Sequence, residues 1–168
     1  FTAEQINALW ALSGDPWVDT VLTYIYTGFR LTELLWMKTE QVNLKEWYFQ
    51  GGVKTASGKG RIVPIHDRIK PFVKNWVSQG NTYLIAGSSG NKISTSQYYK
   101  YWSEVMQRID ADKTPHEARH TFETNLDNAK ANRKCIDLLM GHKSKDTGNR
   151  VYNHKTIEQL RETINLLQ

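Results

Sequence analysis

Cysteine is nearly missing from this chain: Cys135 is the single one in 168 residues. No disulfide within the chain can brace it, and a reducing, cytosolic setting is expected. Its place in the apolar-periodic stretch Cys135-Ile136-Asp137-Leu138-Leu139 marks it as a buried structural thiol. Long apolar runs are missing too. None approaches the roughly 18 residues that cross a bilayer, and Phe1-Thr2-Ala3-Glu4-Gln5 lacks the basic and apolar regions of a signal peptide, so no membrane partner is expected. An initiator Met is absent, and the chain is expected to begin inside a longer polypeptide. There is no Gly-x-x-x-x-Gly-Lys-Ser/Thr phosphate loop and no carboxylate cluster of the kind that holds catalytic magnesium. No cofactor is expected on these grounds. Internal repeats and low-complexity segments are absent as well.

Charge of one sign dominates only mildly. Lys plus Arg number 22 and Asp plus Glu 17, a net +5, with no basic tail. That excess suits a polyanionic partner but does not identify one. The length allows one ordinary domain with a proper core, and residues 1–168 are read as a single domain.

Hydrophobic spacing predicts helices over 3–13 and 16–27, separated by Gly14-Asp15-Pro16. Thr2 with Gln5 has the pattern of a capping box, and Gly28 suits the left-handed position that follows a helix end. A third helix is expected from Leu31, with Glu33 favourable in its first turn and Arg30 at the junction. Residues 42–65 change character. Trp47-Tyr48-Phe49 and Arg61-Ile62-Val63-Pro64-Ile65 are β-rich around the turn-forming Ser57-Gly58-Lys59-Gly60, which predicts a small antiparallel sheet or hairpin. Helical patterns return at 67–79, 94–109, 115–130, 132–140, 144–151 and 156–167. The fold class is α+β, mainly helical.

His116-Glu117-Ala118-Arg119-His120 matches the His-Glu-x-x-His pattern of zinc peptidases. That chemistry needs both histidines on one face of an uninterrupted helix and a third ligand farther on. Pro115 places His116 in the first helical turn, and no Gly and His follow the second histidine in the extended pattern. A zinc hydrolase using His116, Glu117 and His120 is kept as a rival reading, with His142 as its available third ligand.

Other segments use more of the chain. Thr27-Gly28-Phe29-Arg30-Leu31-Thr32-Glu33-Leu34-Leu35 resembles the first box of the tyrosine recombinases, the phage integrase family. Pro115-His116-Glu117-Ala118-Arg119-His120-Thr121-Phe122 resembles the second, and Leu138-Leu139-Met140-Gly141-His142-Lys143-Ser144 the Leu-Gly-His-x-Ser segment. Tyr152-Asn153-His154 is similar to the nucleophile segment, and Val53-Lys54-Thr55 to the β-hairpin lysine site. These five motifs stand in the family's order between residues 27 and 154.

The resemblance implies the family's catalytic fold and the catalytic set Arg30, Lys54, His116, Arg119, His142 and Tyr152. Those residue types suit phosphodiester cleavage. Two guanidiniums can fork onto nonbridging oxygens, a phenol can form a covalent phosphotyrosine, and a lysine can protonate the departing 5′-hydroxyl. By the same resemblance, His116 helps deprotonate or position Tyr152, and His142 donates to the phosphate. Neither metal nor ATP is then required, because the ester retains the energy of the broken bond. The implied activity is site-specific DNA recombination for integration or excision of a phage or mobile element. The implied partners are double-stranded DNA attachment sites, a homotetramer on DNA, and accessory DNA-bending or directionality factors. The implied setting is a bacterial cytoplasm, with N-terminal DNA-binding domains outside this sequence.

Ordinary readings compete at several positions. Glu33 is assigned to structure, holding Arg30 or its helix; Lys59 rivals Lys54; His120 is read as a buried structural histidine; His66 and His154 as structural or surface; and the six tryptophans as core or rim packing. Lys92, Ser94, Thr95, Ser96, Gln97, Tyr98 and Lys100 are a candidate DNA-facing loop and helix start. Ala118 and Met140 stand where the family commonly has Leu, and 146–150 lacks the usual Thr-rich run. Ile157, Leu160, Ile164 and Leu167 form one apolar stripe of a short helix that must dock, on its own domain or on a neighbouring copy. A non-catalytic DNA-binding relative is the second rival.

Overall fold

The computed structural model describes residues 1–51, 60–87, 89–142 and 155–168. Lys54, Tyr152 and the helix expected over 144–151 lie outside the described residues.

The chain begins with α1 (Ala3–Ala11), opened by the expected Thr2/Gln5 capping box. It ends two residues early, because Ser13 N–H turns back to the Trp10 carbonyl at 3.2 Å and Gly14 takes φ 103°. Helix α2 (Pro16–Thr27) has its first N–H groups capped by Asp15, whose carboxylate accepts from Trp17 N at 2.9 Å, with Pro16 in the first turn. Every residue from Val18 to Thr27 is buried, so α2 is the central helix. It packs against α1 and against two later helices, α5 (Thr95–Arg108) and α6 (Pro115–Asn128). Gly28 stops it in the left-handed conformation at φ 61°. A Cβ there would sit 2.5 Å from the Phe122 ring, so close approach and backbone both require glycine.

The short α3 (Leu31–Leu35) follows, then a three-stranded antiparallel sheet in the order β1 (Val42–Asn43), β2 (Tyr48–Gly51), β3 (Arg61–Pro64). Its register pairs Val42 with Phe49, Phe49 with Val63, and Gly51 with Arg61. Side chains alternate, so Phe49 and Val63 face the interior while Gln50 and Ile62 face out. Arg61 shares the inward face of Val63 and is buried.

A 3-10 turn over Asp67–Ile69 precedes α4 (Lys70–Ser78), where the spacing predicts one continuous helix. Ser94/Gln97 and Thr114/Glu117 capping boxes open α5 and α6. Asn132 caps α7 (Arg133–Met140), which ends at Gly141 with φ 64°. Cys135 is buried on α7, as its setting predicts. Ala118 and Met140 are both buried, so these two departures from the family pattern act in packing.

The last helix, α8 (Ile157–Ile164), docks on β3 and α7 of its own chain, burying Leu160, Ile164 and Leu167. Its tail is held by the Tyr26 hydroxyl, which donates to the Gln168 carbonyl at 2.5 Å, and by His66 Nε2 against the Leu167 carbonyl at 3.1 Å. His66 Nδ1 already accepts from Arg68 N, so Nε2 must carry the proton and the ring is neutral. Burial pushes its pKa below the ordinary value. Among the described residues, no helix is long and apolar enough to cross a membrane.

Candidate active site

Four chain segments converge where α2 ends. The Gly28 turn delivers Arg30 as the residue capping α3, and its side chain remains 43% exposed. Glu33, one turn on, is 2% exposed and folds back over that junction. Its Oε2 accepts from Arg30 N at 2.9 Å and its Oε1 from Arg30 Nη1 at 3.0 Å. The expected structural role of Glu33 therefore holds. The same carboxylate takes a second cation that sequence reasoning missed: Arg61 Nη1 and Nη2 fork onto Oε1 and Oε2 at 3.2 and 2.9 Å. A buried carboxylate needs such saturation, because ions removed from water are costly unless paired and hydrogen-bonded. The signal for Arg61 was the strand's period of two, which puts it on the face of Val63.

Arg119 approaches from α6. Pro115 at the helix start and the Thr114/Glu117 box set the first turn, leaving His116 exposed beside Pro115 and Arg119 buried one turn below. Its Nη1 donates to the Gly28 carbonyl at 2.5 Å and its Nη2 to the Met140 carbonyl at 2.6 Å. Both carbonyls lie at the ends of helices, α2 and α7, where the helix dipole presents partial negative charge. Burial, then the neighbouring Arg30 and Arg61, lowers the Arg119 pKa to about 10, so it is still a cation at neutral pH.

His142 follows the Gly141 turn. Its Nε2 lies 3.2 Å from Arg119 Nη2. A guanidinium only donates, so Nε2 accepts and the proton sits on Nδ1, 3.7 Å from Asp137 Oδ1. Burial and then the Arg119 charge lower the His142 pKa.

Arg30, Leu31, Thr32, Tyr99, Pro115, His116 and Arg119 line one cleft of about 260 Å³. Arg30, Arg61 and Arg119 cluster around Glu33, the buried carboxylate of this region among the described residues. Three guanidiniums against one carboxylate make a site that favours an anion with several oxygens, and two of them line the cleft.

The structure thus brings together Arg30, His116, Arg119 and His142; Lys54 and Tyr152 fall outside the described residues. The histidine pair of the metal-like motif meets ring to ring, centroids 4.5 Å apart and nearly perpendicular. Glu117 is engaged in the helix cap and with Lys113 at 3.3 Å. No group of three or more potential metal ligands occurs among the described residues. One expectation is corrected: His120 is exposed, because its position on α6 turns it away from the core that takes Ala118, Arg119 and Phe122.

The family model described as "Phage integrase family" matches residues 2–159. Among curated relatives, the tyrosine recombinase XerD of Yersinia pestis is 28% identical over 176 residues, covering 90% of this chain and 57% of that protein. XerD of Haemophilus influenzae is 31% identical over 150 residues, covering 80% and 48%. The chain spans about half the length of the curated relatives it matches. Among solved structures, the integrase from mycobacterium phage Brujita superposes with a TM-score of 0.76 at 20% identity, covering 98% of this chain and 56% of that one. At that identity the likeness concerns the fold.

Proposed function

The chain belongs to the phage integrase family, and from that premise we propose that it is the catalytic domain of a tyrosine recombinase, cutting and rejoining DNA at specific sites. The observation that carries this reading is the cluster itself: Arg30 and Arg119 lining one cleft with His116, and His142 bonded to Arg119.

In the proposed reaction the Tyr152 phenolate oxygen attacks a backbone phosphorus. The new O–P bond forms as the bond to the 5′-oxygen breaks, leaving a 3′-phosphotyrosine and a 5′-hydroxyl. His116 takes or orients the phenol proton, and Lys54 supplies the proton that the 5′-oxygen acquires. In this reading Arg30 and Arg119 take up the charge that the nonbridging oxygens gain, a task that permanently charged planar forks suit. His142 accepts from Arg119 while the cleft is free. When a phosphate engages Arg119, that acceptor position can be protonated and can donate to the anion. Attack of a second 5′-hydroxyl on the phosphotyrosine reverses the step on a new strand, with the bond energy kept in the ester.

The proposed substrate is a double-stranded attachment site bound chiefly through phosphates, so affinity should fall steeply with salt. The proposed assembly is a tetramer on DNA, with DNA-binding domains outside this sequence, accessory factors, and a bacterial cytoplasmic setting in service of a phage or mobile element.

A nicked suicide DNA substrate incubated with the full-length protein in EDTA tests the chemistry. A covalent adduct on a denaturing gel, mapped by mass spectrometry to Tyr152 and lost in Tyr152→Phe, is expected. DNA binding with no adduct across a set of candidate sites would favour a non-catalytic relative, and chelator-sensitive cleavage with stoichiometric zinc would favour the hydrolase.

A further inference from the structure

Arg61 is the side chain whose position folding alone explains least. The period of β3 puts it on the inward face with Val63, and its side chain is only 5% exposed. A guanidinium cannot shed its charge to suit that burial. Burial lowers its pKa against the opposing pull of Glu33, and its Nε has no hydrogen-bond partner among the described residues. Replacing such a buried ion pair with packed apolar groups commonly costs a protein no stability.

Its connections point to a different purpose. Glu33 Oε1 accepts from both Arg61 Nη1 and Arg30 Nη1, and Oε2 from both Arg61 Nη2 and Arg30 N. The Met140 carbonyl accepts from both Arg61 Nη1, at 3.3 Å, and Arg119 Nη2. Arg61 therefore shares both Glu33 oxygens with Arg30 and the Met140 carbonyl with Arg119. The chain makes room for it: a Cβ on Gly141, the residue before His142, would lie 2.5 Å from Arg61 Nη1. The Phe29 ring, next to Arg30, carries its guanidinium at 4.9 Å.

We propose that Arg61 is a positioning residue that neutralises Glu33, so that Arg30 is held by one Nη1 bond and keeps its remaining donors turned toward a phosphate. With Arg61 present, three guanidiniums against one carboxylate leave two positive charges for the anion. Without it, Glu33 keeps Arg30 as its one cation partner in this cluster, with Nη1 at 3.0 Å, and has an oxygen freed of its fork. A carboxylate in that state takes a guanidinium through both oxygens, withdrawing Arg30 into a closed pair. Of the arginines in this cluster, Arg119 alone is then left to meet the anion, and it has also lost the neighbour that shared its carbonyl. The inference rests on the reading that this cleft holds a phosphodiester.

Two measurements on the full-length protein separate this inference from that reading. In the first, inorganic phosphate is titrated into ¹⁵N-labelled protein while the Arg30 and Arg119 side-chain Nε–Hε signals are followed; no DNA chemistry is involved. Arg61→Met should weaken phosphate binding about tenfold or more, and Arg61→Met combined with Glu33→Gln should return it to within about threefold of wild type, because a neutral amide in place of the carboxylate no longer draws Arg30 inward. If Arg61→Met fails to fold, Arg61→Lys, which keeps the charge but loses the fork, should weaken phosphate binding about three- to tenfold. In the second, single-turnover cleavage of the suicide substrate should slow about 30-fold or more in Arg61→Met with DNA affinity changed less than about threefold, and the double variant should recover most of the loss.

Unchanged phosphate affinity in Arg61→Met or Arg61→Lys, or a folded double variant no better than Arg61→Met, would overturn the inference. Both variants melting earlier while binding phosphate like wild type would do the same, since that is the signature of a purely structural pair. Should wild type form no adduct while phosphate still perturbs Arg30 in an Arg61-dependent way, the proposed chemistry fails and the positioning role stands.

Discussion

The two sides of α2 bury polar groups in opposite ways. Toward α5 they are neutral and each has a partner. The Tyr98 hydroxyl meets Thr20 Oγ1 at 2.7 Å, Thr20 donates to the Trp17 carbonyl at 2.7 Å, and the Tyr24 hydroxyl donates to the Leu31 carbonyl at 2.7 Å. Trp17 stacks on Tyr101 with centroids 3.8 Å apart. Burial drives the Tyr24 and Tyr98 phenols far above their ordinary range, so they stay protonated and serve as hydroxyls. Toward α3, α6 and β3 the buried groups include the ions Glu33, Arg61 and Arg119, with cations in excess of carboxylates among these three. Neutral hydrogen-bonded groups enter a core at little net cost, whereas an unbalanced set of ions weakens it. Stability therefore resides on the aromatic side, and the arginine side stores charge that an anion completes.

That contrast can be broken by measurement. The largest effect on stability is expected on the helix that both sides share: Leu22→Ala removes a fully buried side chain and should cost about 2–5 kcal/mol in denaturant unfolding, with the cleavage rate of the folded protein unchanged. Arg30→Lys should show the reverse signature. Cleavage should fall about 10²–10³-fold, as for loss of one preorganised charge donor, while stability changes by less than about 1 kcal/mol because the side chain is 43% exposed. A melting loss in Arg30→Lys like that of Leu22→Ala would erase the distinction.

Thr20→Val is a smaller probe of the neutral side. It strands the Tyr98 hydroxyl, and about 1–2 kcal/mol of stability should go with no change in phosphate affinity.

The smallest effects are those of pH. His66 and His142 are both held below the ordinary histidine value of 6.5, first by burial, and for His142 also by Arg119. A lowered folded pKa means the unfolded chain binds more protons, so each contributes stability that is complete above 6.5 and is lost as the pH falls through its lowered value. Urea unfolding on acidification should show this, with less loss in His66→Gln. Sulfate should separate the two: an anion against Arg119 should raise the His142 imidazole pKa in an NMR titration and leave His66 where it is. An equal response at both rings would mean that the anion does not sit in the cleft.

Most helices were legible because their signals are local. Thr2/Gln5, Ser94/Gln97 and Thr114/Glu117 close caps within three residues, and Gly28 and Gly141 take the left-handed turns their neighbours demand. Arg30 and Arg119 stand out through motif boxes, and their convergence on one cleft bears on those boxes directly. Arg61 escapes notice because an arginine beside a lysine-containing hairpin looks solvated unless its strand face is known to be covered. His120 misleads for the same reason, since one helical position separates it from the buried Arg119.

By itself, then, the sequence determined where helices begin and end, that a small sheet interrupts them, and which residue types are available for phosphate chemistry, because those depend on partners a few residues apart. Only the tertiary structure decided how charge is shared. Glu33 meets Arg61 across 28 residues and Arg119 meets the Gly28 carbonyl across 91. Such pairs exist because packing removes water from both partners at once, and no local pattern records which distant group will be there to replace it.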